Sequence, residues 1–326
     1  MTAEITVLSS NRPADRFYRG GSAITDFRGE PPTAEREPED WIGSVTTIAG
    51  ESALGLTVLP DGDLLADRVA ADPIGWLGEA HVARFGPDTR LLVKLLDAGE
   101  RLPVHAHPSG AFAERHLARP HGKAEAWHIL HRGVVYLGWS AELTDAEIRA
   151  LVAEQDSSRM LAAMNRVEVE AGDSVFVPDG IVHAIDEGVF LLEVQEPEDL
   201  SIVLEWLPFA LTGDPQLGIP LDLALEAVRG HATTPAELDA LVRRGVATGS
   251  LLPGGASRFF RIDRIAVSGR AVLDAGFGVV IVESGDVTVG DVVAERGATL
   301  LVPAAAGDVV LTGDGVVLVC RPPRVG

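Results

Sequence analysis

Cysteine and lysine are nearly missing from this chain, and long apolar runs are missing altogether. The 326 residues hold one cysteine, Cys320, in the apolar run Val316-Val317-Leu318-Val319-Cys320. A single thiol excludes any intramolecular disulfide, which fits a reducing compartment. Its setting reads as a buried strand position. No apolar stretch approaches the roughly 18–20 residues that a spanning helix needs. Residues 1–10 lack the basic flank and apolar core of a secretory leader. The expectation is a soluble, cytoplasmic protein. Positive charge is also scarce, with 27 basic against 48 acidic residues and a net charge of −21. That balance argues against nucleic acid and anionic membrane surfaces as partners. An anionic substrate would need a locally basic pocket.

The basic residues are lopsided as well. Lys94 and Lys123 are the two lysines, against 25 arginines. An ammonium is a compact point charge and a guanidinium a planar fork, so the two are not equivalent. Both lysines flank the motif that says most about the chain, Leu102-Pro103-Val104-His105-Ala106-His107-Pro108. Residues i and i+2 of a strand point to one face, which sets His105 and His107 side by side. Glu125 follows in Gly122-Lys123-Ala124-Glu125, and His183 comes after the turn Val177-Pro178-Asp179-Gly180. Three imidazoles and a carboxylate suit Zn²⁺, Mn²⁺, Fe²⁺, Co²⁺ or Ni²⁺.

The length allows two or three domains or one two-lobed body, and 46% hydrophobic residues supply a sizeable core. Residues up to about 60 read as loops with short strands such as Ser44 to Ile48. Residues 61–81 read as partly helical, broken at Pro73. Strands are expected at Leu91–Leu96, Leu102–His107, within 124–136, and at Arg166–Val169, Ser174–Val177, His183–Ile185, Val189–Glu193 and Ser201–Trp206. A helix or helix pair interrupts them over 144–164, with Thr144 as N-cap and Glu147 three residues on. Short strands between Gly, Asp and Pro turns suggest a double-sheet jelly roll. Helices follow at Leu221–Arg229 and Pro235–Arg243, with Thr234 a cap.

Residues from Arg258 to Pro322 are again read as all β. Turns are expected at Ser268-Gly269, Ser284-Gly285-Asp286, Arg296-Gly297, Ala306-Gly307-Asp308 and Gly313-Asp314-Gly315. This part holds no histidine. The stretch Ala171–Pro178 resembles Arg296–Pro303, which suggests a duplicated barrel with metal in the first copy alone. The expected division is a metal-binding domain over 1–220, a helical connector over 221–250 and a metal-free β domain over 251–326.

In these motifs the chain resembles the class I mannose-6-phosphate isomerases, two-barrel cupin metalloenzymes. The resemblance runs from about Arg19-Gly20-Gly21 onwards and is strongest between Leu91 and Glu193. It rests on His105 and His107 before Pro108, on Lys123 and Glu125 in Gly-Lys-x-Glu, and on Pro178, Gly180, His183 and Ala184. Lys94 and Glu193 also match. The resemblance implies a mainly β fold of two cupin jelly rolls with an inserted helical segment. It implies one divalent ion, Zn²⁺ by family habit, on His105, His107, Glu125 and His183. It makes Lys123 and Glu193 the acid/base candidates. Lys94, Lys123 and Trp41 become candidates for binding substrate, a small sugar or sugar phosphate. Oligomeric state is left open.

Two departures matter. Pro103 stands where the family has a small hydroxyl residue. Val203 stands where it has an arginine implicated in phosphate or transition-state contacts. Arg90, His81 and His128 are the candidates to replace that cation. His116, His121, His128 and His131 otherwise read as loop or rim residues, and Trp127 and Trp139 as core.

The resemblance implies conversion of mannose 6-phosphate to fructose 6-phosphate by proton transfer through an enediol. The departures favour the same chemistry on an unphosphorylated or differently substituted sugar. A non-catalytic sugar-binding cupin and an Fe²⁺ cupin oxygenase are the competing readings.

Overall fold

A computed structural model of the chain describes residues 3–209, 211 and 213–325. The strands form three antiparallel sheets. Six strands make the first, in the order Val242–Arg243, Ser174–Val177, Glu125–His131, Phe190–Gln195, Leu92–Asp97 and Glu39–Ile42. Five make the second: Ile202–Val203, His105–Ala106, His183–Ile185, Gly133–Trp139 and Met164–Val169. The third has seven. Its main path runs Thr6–Leu8, Thr299–Val302, Gly278–Val289, Val309–Arg321, Arg261–Leu273 and Gly249–Ser250, and Val292–Glu295 pairs with Gly278–Val289.

Alternation along each strand decides what it gives to each layer. Phe190, Leu192 and Val194 pack with Val93, Leu95 and Ala126 towards the third sheet, where Val279, Ile281, Leu301 and Leu318 meet them. Leu191, Leu96, Trp127 and Ile129, on the other face, pack against Val135, Leu137 and Ile185 of the second sheet. The first two sheets therefore face each other. The same parity sends Glu39, Trp41, Lys94, Glu125 and Glu193 inward, between them. The outer face of the second sheet, with Val104, Ala106, Val182 and Ala184, is covered by Ile148, Leu151, Val152 and Met160. The third sheet encloses its own apolar cluster, including Val280, Val282, Leu300, Leu311 and Val317. Cys320 is buried, as its sequence setting suggests.

The mainly β fold matches expectation, and so does the inserted helical segment. Helices Asp145–Glu154 and Ser157–Ala162 follow Thr144, whose side chain accepts from the Glu147 N–H in a capping box. Thr234 caps Pro235–Leu241 in the same way. Pro73 opens a helix behind Asp72, which caps it.

Several expected elements differ. The early strand is Glu39–Ile42 and not Ser44–Ile48. Gly43 turns the chain at φ 60°, and Ser44 Oγ then bonds both the N–H and the carbonyl of Thr46 at 3.0 Å, a local turn that competes with strand pairing. The strand expected over Leu102–His107 shrinks to His105–Ala106, because Pro103 and Pro108 have no N–H to give a ladder. Ser201–Trp206 shrinks to Ile202–Val203, since the Leu204 and Glu205 N–H groups both reach the Val104 carbonyl. The helix at Leu221 ends at Leu225. Val242 and Arg243 leave the next helix to pair with Val175 and Ser174.

The turns expected at Ser268-Gly269, Ser284-Gly285-Asp286 and Gly313-Asp314-Gly315 lie inside long continuous strands. The glycines there mark bends and close approach. A Cβ on Gly285 would stand 2.2 Å from the Asp314 carbonyl oxygen, and one on Gly313 would stand 2.4 Å from that of Asp286. The first strand, Thr6–Leu8, pairs with Thr299–Val302 and so sits in the C-terminal sheet. Among the described residues, no helix is long and apolar enough to cross a membrane.

Candidate metal centre and active-site cavity

His105 and His183 lie directly opposite each other on paired strands of the second sheet. His107, just beyond the first strand, turns its ring to within 4.9 Å of the His105 ring and 4.7 Å of the His183 ring, centroid to centroid. Ligand nitrogens of the three lie within 4.8 Å of one another. Each ring is fixed from behind. The Nδ1 atoms of His105, His107 and His183 stand 2.8, 2.7 and 2.9 Å from the carbonyl oxygens of Pro103, Leu200 and Ile181. A carbonyl only accepts, so each Nδ1 carries a proton, which in the neutral ring leaves the Nε2 lone pair free. Pro103 orients His105 through its backbone.

Burial holds the His105 pKa well below its ordinary value, and the neighbouring His183 and His107 lower it further. Burial and Lys123 bring that of His107 down to about 3, against the opposing pull of Glu125. Both rings are neutral donors at physiological pH. Glu125 arrives from the first sheet. Its Oε2 lies 2.9 Å from His107 Nε2 and its Oε1 lies 3.3 Å from His183 Nε2. The His107 contact is no ion pair, since that ring is neutral and its proton sits on Nδ1. Both atoms instead accept from the Lys123 ammonium, at 2.9 Å each. Trp127 Nε1 donates to Glu125 Oε1 at 3.1 Å. Burial alone would raise the Glu125 pKa, but the Lys123 ammonium outweighs it and holds the carboxylate ionised.

Three imidazoles and an anion thus converge, and one buried ring nitrogen, His183 Nε2, has no hydrogen-bond partner. This donor set fits a divalent transition ion. The ammonium of Lys123, bonded to two of the four ligand candidates, shows that the spot attracts a cation.

Beside the cluster is a small cavity of about 40 Å³, lined by Arg16, Lys94, Lys123, Glu125, Glu193 and Asp199 among others. It has room for a water or so, not for a hexose. The segment from Arg16 to Tyr18 forms part of its wall, so a sugar enters only if the wall moves. Glu193 Oε1 is buried with no hydrogen bond, and Lys94 Nζ lies 3.6 Å away. Burial pushes the Glu193 carboxyl up to about 7, Lys94 pulls it back in part, and Glu125 adds to the rise. Lys94 stays charged, because Glu193 and Glu39 outweigh its burial.

Trp41 does not line the cavity. It lies behind Lys94, whose ammonium sits 4.8 Å from its ring centre, and its Nε1 donates to Glu39 Oε2 at 2.7 Å.

The cations proposed from sequence to replace the missing arginine are elsewhere. Arg90 bonds His121 Nδ1 at 2.7 Å, and His81 donates to the Asp88 carbonyl at 2.6 Å. His128 lies on the opposite face of its strand, 3.0 Å from Ser174 Oγ. Trp127 and Trp139 are buried core residues, as expected. Val203 pairs with His105 across the strands and is buried.

The structure supplies groups that sequence reasoning missed. Arg16 reaches Glu39 at 3.4 Å and Asp199 at 3.7 Å, and Tyr18 donates to Glu39 Oε1 at 2.5 Å. Burial would raise the Glu39 pKa, but Arg16 and Lys94 bring it down to about 2. Glu39 could have been found as the i−2 partner of Trp41 had that strand been recognised. Arg16 and Asp199 lie in loops that carry no pattern.

No family model matches the chain. The mannose-6-phosphate isomerase ManA of Bacillus subtilis strain 168 is 35% identical over 190 residues, 56% of this chain and 55% of that protein. That of Streptococcus mutans is 34% identical over 135 residues, 40% and 42% of the two chains. The matched segments span about half the length of these curated relatives. Among solved structures, a single-residue variant of phosphomannose isomerase from Salmonella typhimurium superposes over 98% of this chain and 100% of its own, with a TM-score of 0.76 at 14% identity. The mannose 6-phosphate isomerase of Bacillus subtilis does so over 98% and 100%, with a TM-score of 0.68 at 19% identity. The chain therefore has the fold of the solved mannose-phosphate isomerases, and about half of it is similar in sequence to the curated ones.

Proposed function

We propose that this protein is a metal-dependent aldose–ketose isomerase, with His105, His107, Glu125 and His183 holding one divalent ion, Zn²⁺ by first preference. The two facing sheets with their helical cover would form the cupin unit that carries the site, and the third sheet a second, metal-free one. The observation that carries the reading is Glu193, whose carboxyl is raised to about 7 and lines the same cavity as His105 and Glu125, beside the three-histidine cluster. A general base works best with a pKa near the operating pH.

Bound there, the ion would polarise the substrate carbonyl as a Lewis acid. The chain's own residues do the rest. Glu193, as carboxylate, accepts the proton from C2 of the aldose, and the C–H electrons form the enediol double bond. Lys123 donates a proton to O1 as negative charge develops there. Protonated Glu193 then delivers its proton to C1, and Lys123 regains one from the O2 hydroxyl as the C2 carbonyl forms. Lys94 keeps Glu193 oriented and limits the rise of its pKa.

The names of the relatives make mannose 6-phosphate the first substrate to try. One observation favours a second reading, an unphosphorylated sugar. Each cation lining the cavity already faces a carboxylate: Arg16 faces Glu39 and Asp199, Lys94 faces Glu193, and Lys123 faces Glu125. Charge-assisted hydrogen bonds are worth roughly 1.5–3 kcal/mol each, so a phosphate dianion competing with four carboxylates for these cations would gain little. Proton NMR in D₂O with mannose 6-phosphate and with mannose tests both. Exchange of the C2 proton, abolished by chelation and restored by metal, is the expected result. Its absence with every sugar tried on metal-loaded protein contradicts the isomerase.

A further inference from the structure

At the far end of the third sheet, Arg261 and Arg321 stand directly opposite each other on antiparallel strands. Directly opposed residues point to the same face, and like charges there repel. Arg324 follows three residues later, and all three line one groove of about 520 Å³, a size suited to a small-molecule ligand. The groove shares no lining residue with the active-site cavity.

In a chain of net charge −21, three neighbouring arginines call for a partner, and the protein offers little. Arg321, 6% exposed, donates only to backbone carbonyls, those of Ala275 at 3.2 Å and Asp274 at 2.5 Å. Arg261 donates to the Pro322 carbonyl at 3.1 Å, and its nearest carboxylate, Asp263, is 3.9 Å away. Among the described residues, no carboxylate lies within ion-pair distance of Arg321 or Arg324. Glu79 and Asp274 on the rim are exposed. The active-site cavity is the reverse case, with every cation paired.

The buried guanidinium is also set in place. A Cβ on Gly276 would stand 3.0 Å from Arg321 Nη1, and one on Gly278 would stand 3.2 Å from its Cγ. The backbone therefore packs against this side chain and fixes its direction. Burial and the neighbouring guanidiniums of Arg261 and Arg324 lower the pKa of Arg321, against the opposing pull of Asp263 and Asp274. Guanidinium forks match the oxygens of phosphate.

We propose that this groove binds a phosphorylated small molecule, its phosphate held by Arg261, Arg321 and Arg324. A polynucleotide is disfavoured by the net charge of −21 on the chain as a whole.

Titration calorimetry of metal-loaded full-length protein with inorganic phosphate at low ionic strength tests this. The expected result is saturable binding, weakened at least tenfold by Arg324→Ala and by Arg261→Gln and unchanged by His107→Ala. Arg324 is exposed, so its substitution leaves the fold and the isomerase activity intact. Without polyvalent anions, Arg261→Gln should melt no lower than the parent, because it relieves repulsion. Absence of saturable binding overturns the proposal. So does binding that survives both arginine substitutions, or binding lost in His107→Ala, which would place the phosphate at the metal centre.

Discussion

Near pH 7 the Glu193 carboxyl is divided between its two protonation states, because burial raises its pKa to about 7 while Lys94 and Glu125 pull in opposite directions. In the proposed mechanism Glu193 must be ionised to accept the C2 proton, so kcat/KM should rise with pH through about 7 and level off above it. Replacing Lys94 by glutamine removes the charge that holds the carboxyl down, and the rising limb should move to higher pH. A limb that stays in place in the Lys94→Gln protein would show that another group titrates. Glu193→Gln should lower kcat by about 10²–10⁴-fold with metal content unchanged by atomic absorption. Loss of metal along with activity would make Glu193 a structural residue instead.

The pairing of His105 with His107 was legible from the strand period, and the other candidates from short motifs shared with a known family. The supporting groups were not. Arg16 and Asp199 come from loops about 180 residues apart in sequence and meet only in the fold, beside Glu39. A replacement for the missing arginine was sought at Arg90, His81 and His128, but strand parity and loop pairing send these away from the cavity.

Strand bends and helix caps set the elements. Gly313 takes φ 115° where a side chain would meet the Asp286 carbonyl, and a strained position of this kind costs about 1–3 kcal/mol. Gly313→Ala should therefore lower the denaturation midpoint while metal affinity holds, which urea titration and metal binding read separately. An unchanged midpoint would mean that the strands can part without cost. Thr144→Ala removes a capping box from an exposed helix start and should cost about 1 kcal/mol, again without effect on the site. The caps were readable because Thr-x-x-Glu is local. The bends were read as turns because Ser-Gly and Gly-Asp-Gly look the same in sequence whether a strand ends or bends. Only the partner strand decides, and it lies some 30 to 50 residues away.

Across the whole molecule, three sheets and a helical cover stack so that the inward face of the first sheet meets the second, and the proposed ligand set spans both. An ion joining His105 and His183 to Glu125, as proposed, would tie two layers together. Binding to the folded state alone stabilises it by RT ln(1 + [L]/Kd), about 4 kcal/mol at a thousandfold excess over Kd. Chelation should lower the melting temperature by several degrees, and His107→Ala should abolish the difference. The mainly β layering was readable from turn spacing. The pairing of Thr6–Leu8 with Thr299–Val302 was not, because three residues carry no register information.

In the proposed reaction the histidine cluster and Glu193 together move a proton between adjacent carbons of a sugar. Proton NMR of metal-loaded protein in D₂O, with mannose and mannose 6-phosphate in separate tubes, follows the C2 proton directly. The account predicts loss of that signal with growth of the matching ketose, stopped by chelator and by Glu193→Gln. A C2 signal that persists with both sugars, in protein shown to carry one metal ion per chain, would contradict it.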